Sequence, residues 1–422
     1  MKSSRYPFLK KYIQLSALLF ILFLVMLPHR GNSWDMDCWK QWANYIFENS
    51  LGEIYHSNTD YLPLYHYVLL LFGFIQGSVA KIGYNIHYLK LITLLFHFVT
   101  GFFLALLIKK PADSWEKVRG NVLFYLLNIA ILYNTLIWGQ VDAILTCFIF
   151  ISCYFAYQKK VLHSLIFIIL AINFKLQAIV FLPVIGLMLL PVIISTFSKK
   201  RILQWLLGSL LLQVLIIIPF ILAGTCDKLW NVVTGSVGKW PFVSISAYNV
   251  WDFFLSGELN RMPDSITLLG ISYKSWGLIM FFVASGIALW PMAKLAYTSL
   301  LQKSKLHIPL EIVLITCAII PLLFFYFNTQ MHERYTHPAL VFLVAYGIYT
   351  KRPVVPILGC LAYFLNLESI IQFMHKHEYR SLIFNRTFIS SLYLITIAGL
   401  YFDLFRFKIK KDAKNEGSLV NQ

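Results

Sequence analysis

Long apolar runs without charge constrain this chain more than any other feature. Residues 202–226 and 312–332 contain no Lys, Arg, Asp or Glu, and each reaches the roughly 20 residues that a helix needs to cross a bilayer. Lipid offers no water to an exposed backbone group, so a run of this kind must be helical. Composition points the same way. Charged residues are 13% and hydrophobic residues 59% of the chain, against roughly 25% charged in a soluble domain. The expectation is an all-α polytopic membrane protein, one integral membrane domain over 1–422.

Apolar runs and Lys/Arg gaps place about twelve spans, at 13–29, 88–108, 121–138, 142–157, 161–174, 177–197, 202–223, 275–298, 309–327, 336–350, 353–372 and 387–405. The segment 61–83 is apolar enough to be a further span. If it crosses, every basic cluster from Lys109 to the C-terminus changes side. If it lies in the interface or re-enters, those clusters share one side, as cytoplasmic loops rich in Lys and Arg do. On the second layout the inner side carries 23 Lys/Arg and 6 Asp/Glu and the outer side 13 of each, so the whole formal charge of +17 is internal. Both termini are then cytoplasmic. The basic residues read as topology, and nucleic acid is not an expected partner.

Two long outer loops result, at 30–61 (continuing to 87 with the non-spanning helix) and 224–274. The inner loops are short, so chemistry is expected at the outer face of the cell membrane. The polar tail 408–422 reads as a disordered cytoplasmic tail. No repeat of 20–50 residues is evident. Lys10-Lys11 before an apolar run suggests a signal peptide, but no small-residue cleavage site precedes Pro28 and His29, which favours an uncleaved first span. Cys147, Cys153, Cys317 and Cys360 fall in spans; Cys38 and Cys226 both fall outside, where a disulfide could join them. No Cys/His spacing suits zinc.

Carboxylates are scarce, so their positions carry information. Asp35 and Asp37 follow the first span among Trp34, Trp39 and Trp42. Carboxylates in such a setting suit general-base work on a sugar hydroxyl, and tryptophan faces suit sugar C–H surfaces; an interfacial aromatic belt with solvated acids is the plainer alternative. Asp60-Tyr61-Leu62-Pro63 opens the non-spanning helix, with Pro63 at its start and Asp60 as a possible cap. Trp138-Gly139-Gln140-Val141-Asp142 forms an outer turn, where Asp142 either caps the next helix or acts. Lys175 and Gln177 occupy the following turn; the lysine asks for an anionic partner, Asp142 or a phosphate. His332-Glu333-Arg334 and His337 crowd a late turn, where ionisable groups near membrane depth are costly and usually functional. Arg334 suits a phosphate, with a Glu333–Arg334 structural pair as the alternative. The two histidines of HERYTH are too far apart for the HExxH zinc pattern.

Taken together, these motifs resemble the GT-C superfamily of membrane glycosyltransferases, which use polyprenyl-phosphate sugars. The resemblance runs from Asp35 to about Pro338 and is nearest to bacterial proteins related to the second mannosyltransferase of GPI-anchor synthesis. The DYxPL element is also similar to that of dolichyl-phosphate-glucose-dependent glucosyltransferases, although Leu62 stands where those often have Pro. It implies GT-C topology, with a second long loop after the seventh span. It further implies that Asp35, or Asp37 in its place, is the base in an inverting transfer. Arg334, His332 and Lys175 would bind the donor phosphate, and Asp60, Tyr61, Trp138, Gln140, Asp142, Gln177 and Glu333 would shape the sugar and acceptor pocket. No cofactor is demanded, although outer carboxylates leave room for a divalent cation. The implied partners are a polyprenyl-phosphate sugar, a lipid or glycan acceptor and membrane lipids. The setting is a bacterial plasma membrane, with the endoplasmic reticulum as the alternative. A flippase for lipid-linked sugars and a non-catalytic subunit are the competing classes.

Overall fold

The computed structural model describes residues 5–110, 113–236, 238–302, 307–375, 379 and 381–419, without the side chains of 5–7 and 407–419. Among the described residues eight helices are long and apolar enough to cross a membrane, or nine if the bent pair Trp115–Leu126 and Ile129–Trp138 is one span. All twelve expected segments are helical. Three of them, Asp142–Tyr157, Val161–Phe174 and His337–Thr350, have only 16, 14 and 14 residues. Those lengths match that of Pro63–Gln76, at 14 residues, so length does not separate the segment read as non-spanning from three read as spans.

The apolar stretch 61–83 is broken. Pro63 starts the first helix, as the missing N–H allows at that position, and Gly77 ends it in the left-handed region at φ 72°. Ser78 then caps Val79–Asn85 by accepting from Lys81 N. At 1.5 Å per residue the Pro63–Gln76 helix is about 21 Å long, short of a hydrocarbon core of about 30 Å. Asp60 is no cap: the N-cap is Leu62, without a side-chain bond.

The chain packs as two compact units, Met1–Ile179 with Lys199–Lys239, and Val180–Ser198 with Trp240–Gln422. In the first unit, Asp142–Tyr157 packs against Val161–Phe174 and Leu89–Ile108, and Ser33–Glu48 lies against Pro63–Gln76. Lys199–Leu222 is mostly exposed, with Leu203, Leu206, Leu207, Leu210 and Leu211 all open, as a lipid-facing helix would be. Pro219 within it has no N–H for the Leu215 carbonyl. The Tyr67 hydroxyl donates to that part of the helix, at 2.9 Å from Ile216 O and 3.5 Å from Leu215 O. Asn173 and Gln213 exchange side-chain amide hydrogen bonds at 2.7 and 3.0 Å, joining Val161–Phe174 to Lys199–Leu222.

In the second unit Leu310–Phe327 is 83% buried over its apolar window. A helix apolar all round belongs in an interior, and Tyr273–Leu301, His337–Thr350 and Arg386–Leu419 pack on it. The second long loop divides between the units at Lys239/Trp240. Its later part is stitched down by Asn249, which donates to Phe325 O at 3.2 Å, and by Ser390, which donates to Asn249 O at 2.6 Å. The sole strands among the described residues are Thr267–Leu268 and Ile271–Ser272, a small addition to the all-α expectation. Leu269 and Gly270 both have positive φ between them, the conformation a two-residue hairpin turn needs. The last helix runs Arg386–Leu419, through most of the stretch expected to be a disordered tail, and its apolar window ends at Arg406. Residues 420–422 of that tail lie outside the described residues.

Asp252, in the short helix Trp251–Phe254 of this loop, accepts from Asn249 N at 2.8 Å. Burial pushes its carboxyl up to about 6, against smaller opposing effects of that bond and of Arg386. The folded protein therefore holds a proton that the unfolded chain releases near the ordinary carboxyl value, and stability falls as pH rises from about 4 through about 6. Asp252→Asn should leave stability unchanged at pH 4. At pH 7.5 it should raise it by on the order of 1–2 kcal/mol, allowing for partial solvent access. Thermal unfolding in detergent at the two pH values measures this.

Candidate functional site

Asn32 starts the first-loop helix Ser33–Glu48: its Oδ1 accepts from Asp35 N at 3.1 Å. This places Asp35 in the first turn, where a carboxylate meets the positive end of the helix dipole. Trp138 Nε1 donates to Asp35 Oδ2 at 2.7 Å, across 103 residues of sequence. Asn32 N also donates to Trp138 O at 2.8 Å. The loop acid and the WGQVD turn are therefore one assembly. Among the described residues Asp35 Oδ1 accepts no hydrogen bond. Asp37 lies on another face of the helix, exposed, and makes no hydrogen bond or ion pair among the described residues. The two acids do not form a pair.

Trp138 ends a π-helical turn, Tyr133–Trp138, that continues Ile129–Leu132, and Gly139 closes it in the left-handed region at φ 86°. A side chain at Gly139 would meet Met36 Sδ at 2.8 Å. The break that precedes this segment is bent by 44°, and Asn128 caps the new start by accepting from Ile131 N. At the other end, Lys90 Nζ donates to Leu136 O at 2.8 Å, Pro28 O at 2.9 Å and Arg30 O at 2.6 Å. Lys90 is 1% exposed. An ammonium has three donors and no acceptor, and here all three meet carbonyls.

Behind Trp138 the turn is buried and polar. Gln140 is fully buried; its Oε1 accepts from Val141 N at 3.4 Å and its Nε2 has no partner. Asp142 is the first residue of its helix but makes no cap bond. Its Oδ1 accepts from Lys175 Nζ at 2.9 Å and its Oδ2 from Asn134 Nδ2 at 3.2 Å. The anionic partner of Lys175 in the structure is thus Asp142. Gln177 is half-buried in the 3-10 turn Leu176–Phe181.

Of the three first-loop tryptophans, Trp39 and Trp42 are buried, while Trp34 is 73% exposed. Trp39 packs edge-on against Tyr61 and Tyr65 at 5.0 and 4.6 Å, so these rings are core, and only Trp34 presents an open face. Tyr61 also takes a hydrogen bond on its carbonyl from the Tyr55 hydroxyl at 3.1 Å. Burial lowers His66 to about 4; the neutral ring lies 3.1 Å from Tyr61 O. Asp60 is exposed and paired with Lys239. Cys38 and Cys226 are free thiols; the disulfide that could join them is not formed. Burial, then the neighbouring Asp35, Asp60 and Asp37 carboxylates, push the Cys38 thiol up, the opposite of what a nucleophile needs.

The late turn belongs to the second unit. Arg334 Nη1 donates to Glu333 Oε1 at 2.7 Å, and His332 Nδ1 lies 3.8 Å from Glu333 Oε2. Glu333 is 3% exposed. The Glu333–Arg334 structural pair is therefore present. His337 is held elsewhere, 3.1 Å from the Tyr363 hydroxyl. Buried Asp264, outside every sequence motif, accepts from the side chains of Thr329 and Gln330 at 2.8 and 2.7 Å, just before this turn.

No three His, Cys, Asp or Glu side chains stand together as a metal site among the described residues. No protein-family model matches the chain, and no curated protein matches it.

The Asp142–Lys175 contact is buried at 2%/14% side-chain exposure, so removing one partner strands the other charge. Lys175→Met should cost about 3–5 kcal/mol in detergent-mixture unfolding. Asp142→Asn combined with Lys175→Met should recover most of that loss. Additive single effects would contradict the pair.

Proposed function

We propose that this protein is a GT-C-like membrane glycosyltransferase, a hexosyltransferase that takes its sugar from a polyprenyl-phosphate donor. The resemblance favours mannose, and hence a mannosyltransferase that builds a lipid-linked or cell-envelope glycan at the outer face. The Asp35–Trp138 hydrogen bond carries the reading, because it unites two motifs that the resemblance assigns to one reaction. Asp35 is the base: Oδ2 is held by the indole while Oδ1 takes the proton from the acceptor hydroxyl. The acceptor oxygen then bonds to the anomeric carbon from the face opposite the phosphate. The bond between that carbon and the phosphate oxygen breaks, and its electron pair leaves on polyprenyl phosphate.

Asp37 makes no contact that would position it, which favours Asp35 as the base. Lys175 is neutralised by Asp142; in the second unit Glu333 orients Arg334, and the resemblance gives Arg334 and His332 the phosphate roles. Buried Gln140 and Asp142 support the turn behind Trp138, leaving Trp34 and Asp60 as first-loop groups open to a sugar or acceptor, with Tyr61 half-buried next to Asp60.

One observation favours the flippase: discontinuous helices are frequent in transporters, and Trp115–Leu126 and Ile129–Trp138 form a bent pair. The one-sided gathering of acids in the charge-based layout favours the enzyme.

Reconstitution with radiolabelled polyprenyl-phosphate sugars and a membrane lipid extract separates the two. Asp35→Asn should lower transfer by about 10²–10⁴-fold, the range for a lost general base, with Asp37→Asn near wild type. Label that changes leaflet without a new product, whatever stands at position 35, would make the protein a flippase.

A further inference from the structure

The buried lysine at position 90 is absent from every motif above, yet it touches both halves of the Asp35 assembly. Its ammonium is 1% exposed and bonded to three backbone carbonyls. Two of these, Pro28 O and Arg30 O, belong to the chain entering the first-loop helix; Asn32, Asp35 and the Gly31 backbone follow directly. The third, Leu136 O, lies in the π turn two residues before Trp138. That turn is the C-terminal end of a broken helix, where unpaired carbonyls and the negative end of the dipole favour a cation. The two segments also approach too closely for added bulk, since a side chain on Gly31 would meet Trp138 O at 2.7 Å.

We propose that Lys90 is a positioning residue for Asp35, a three-point cation clamp that holds the Asp35 carboxylate against the Trp138 indole. This rests on the glycosyltransferase reading for its consequence in activity, but not for its geometry. Without the ammonium three carbonyls lose their donor, the one at Leu136 in a buried setting, residues 28–30 and 136 separate, and the indole hydrogen bond is lost. A displacement of this kind affects the chemical step more than donor binding, because misplacement by about 1 Å can cost 10²-fold in rate.

The test uses the full chain in lipid nanodiscs with every tryptophan replaced by 5-fluorotryptophan. Trp138→Phe assigns the resonance of interest, and Trp251→Phe assigns an internal control in the second unit. Asp35→Ala, which has no side-chain oxygen, sets the shift expected when the indole loses its acceptor. Lys90→Met should move the Trp138 resonance in the same direction and leave that of Trp251 in place. If Lys90→Met fails to fold, Lys90→Gln, which keeps two donors, is read in the same way. In the transfer assay the variant should lose about 10–100-fold in kcat with an unchanged donor KM.

A Trp138 resonance that stays at its wild-type position in the Lys90 variant, although Asp35→Ala moves it, would overturn the clamp. So would a loss confined to KM. If the wild type transfers no sugar at all, the glycosyltransferase reading fails, and the resonance alone decides the role of Lys90.

Discussion

A backbone carbonyl without a donor inside lipid costs several kcal/mol, and this single constraint explains where the polar side chains of the chain are placed. Unbroken helices satisfy themselves. An interruption needs an outside partner, and three breaks have one. Tyr67 reaches the helix at Pro219, Asn128 starts the helix after the 44° bend, and Lys90 gathers three carbonyls at the far end of the same segment.

The constraint also makes the candidate site. A left-handed glycine and a π turn re-aim Trp138 away from the course of a regular helix, and π turns inside helices often mark functional positions. Asp35 then finds an indole donor at a place where the chain would otherwise expose unpaired backbone. Asp142, Asn134 and Lys175 form a second buried group behind it. A buried ion pair is weak evidence for net stability, but losing one member is expensive, so the pair fixes the turn in one arrangement. The Asp35 contact in front of Trp138 and the ion pair behind it are built on the same break.

Much of this was legible in the sequence. Apolar runs and basic gaps gave twelve helical segments in the expected places, because hydrophobic length and charge are local properties. The helix start at Pro63 and the Asp142 partner of Lys175 were also readable, one from proline geometry and one from a cation that the topology disfavoured. Other features depend on tertiary packing. The burial of Trp39 and Trp42 could not be told from an interfacial belt, since both uses demand the same ring at the same spacing. Asp60 stood where a cap would stand, yet its carboxylate pairs with Lys239, 179 residues away. Lys90 left a faint signal, a lysine at the end of an apolar run that the charge-based layout turns outward, where the charge rule disfavours it; its three carbonyl partners lie in two distant segments and have no side-chain signature.

The account puts Asp35 on the face of the membrane opposite the Lys/Arg-rich loops, and everything proposed about a lipid-linked donor depends on that. Single cysteines in a background without the natural six test it most directly, using a membrane-impermeant maleimide. Trp34→Cys, beside Asp35, should be labelled in intact cells. Gln158→Cys, next to the Lys159/Lys160 cluster, should be labelled only after permeabilisation. Labelling of both from the same side, or in the reverse order, would contradict the layout and with it the outer-face chemistry.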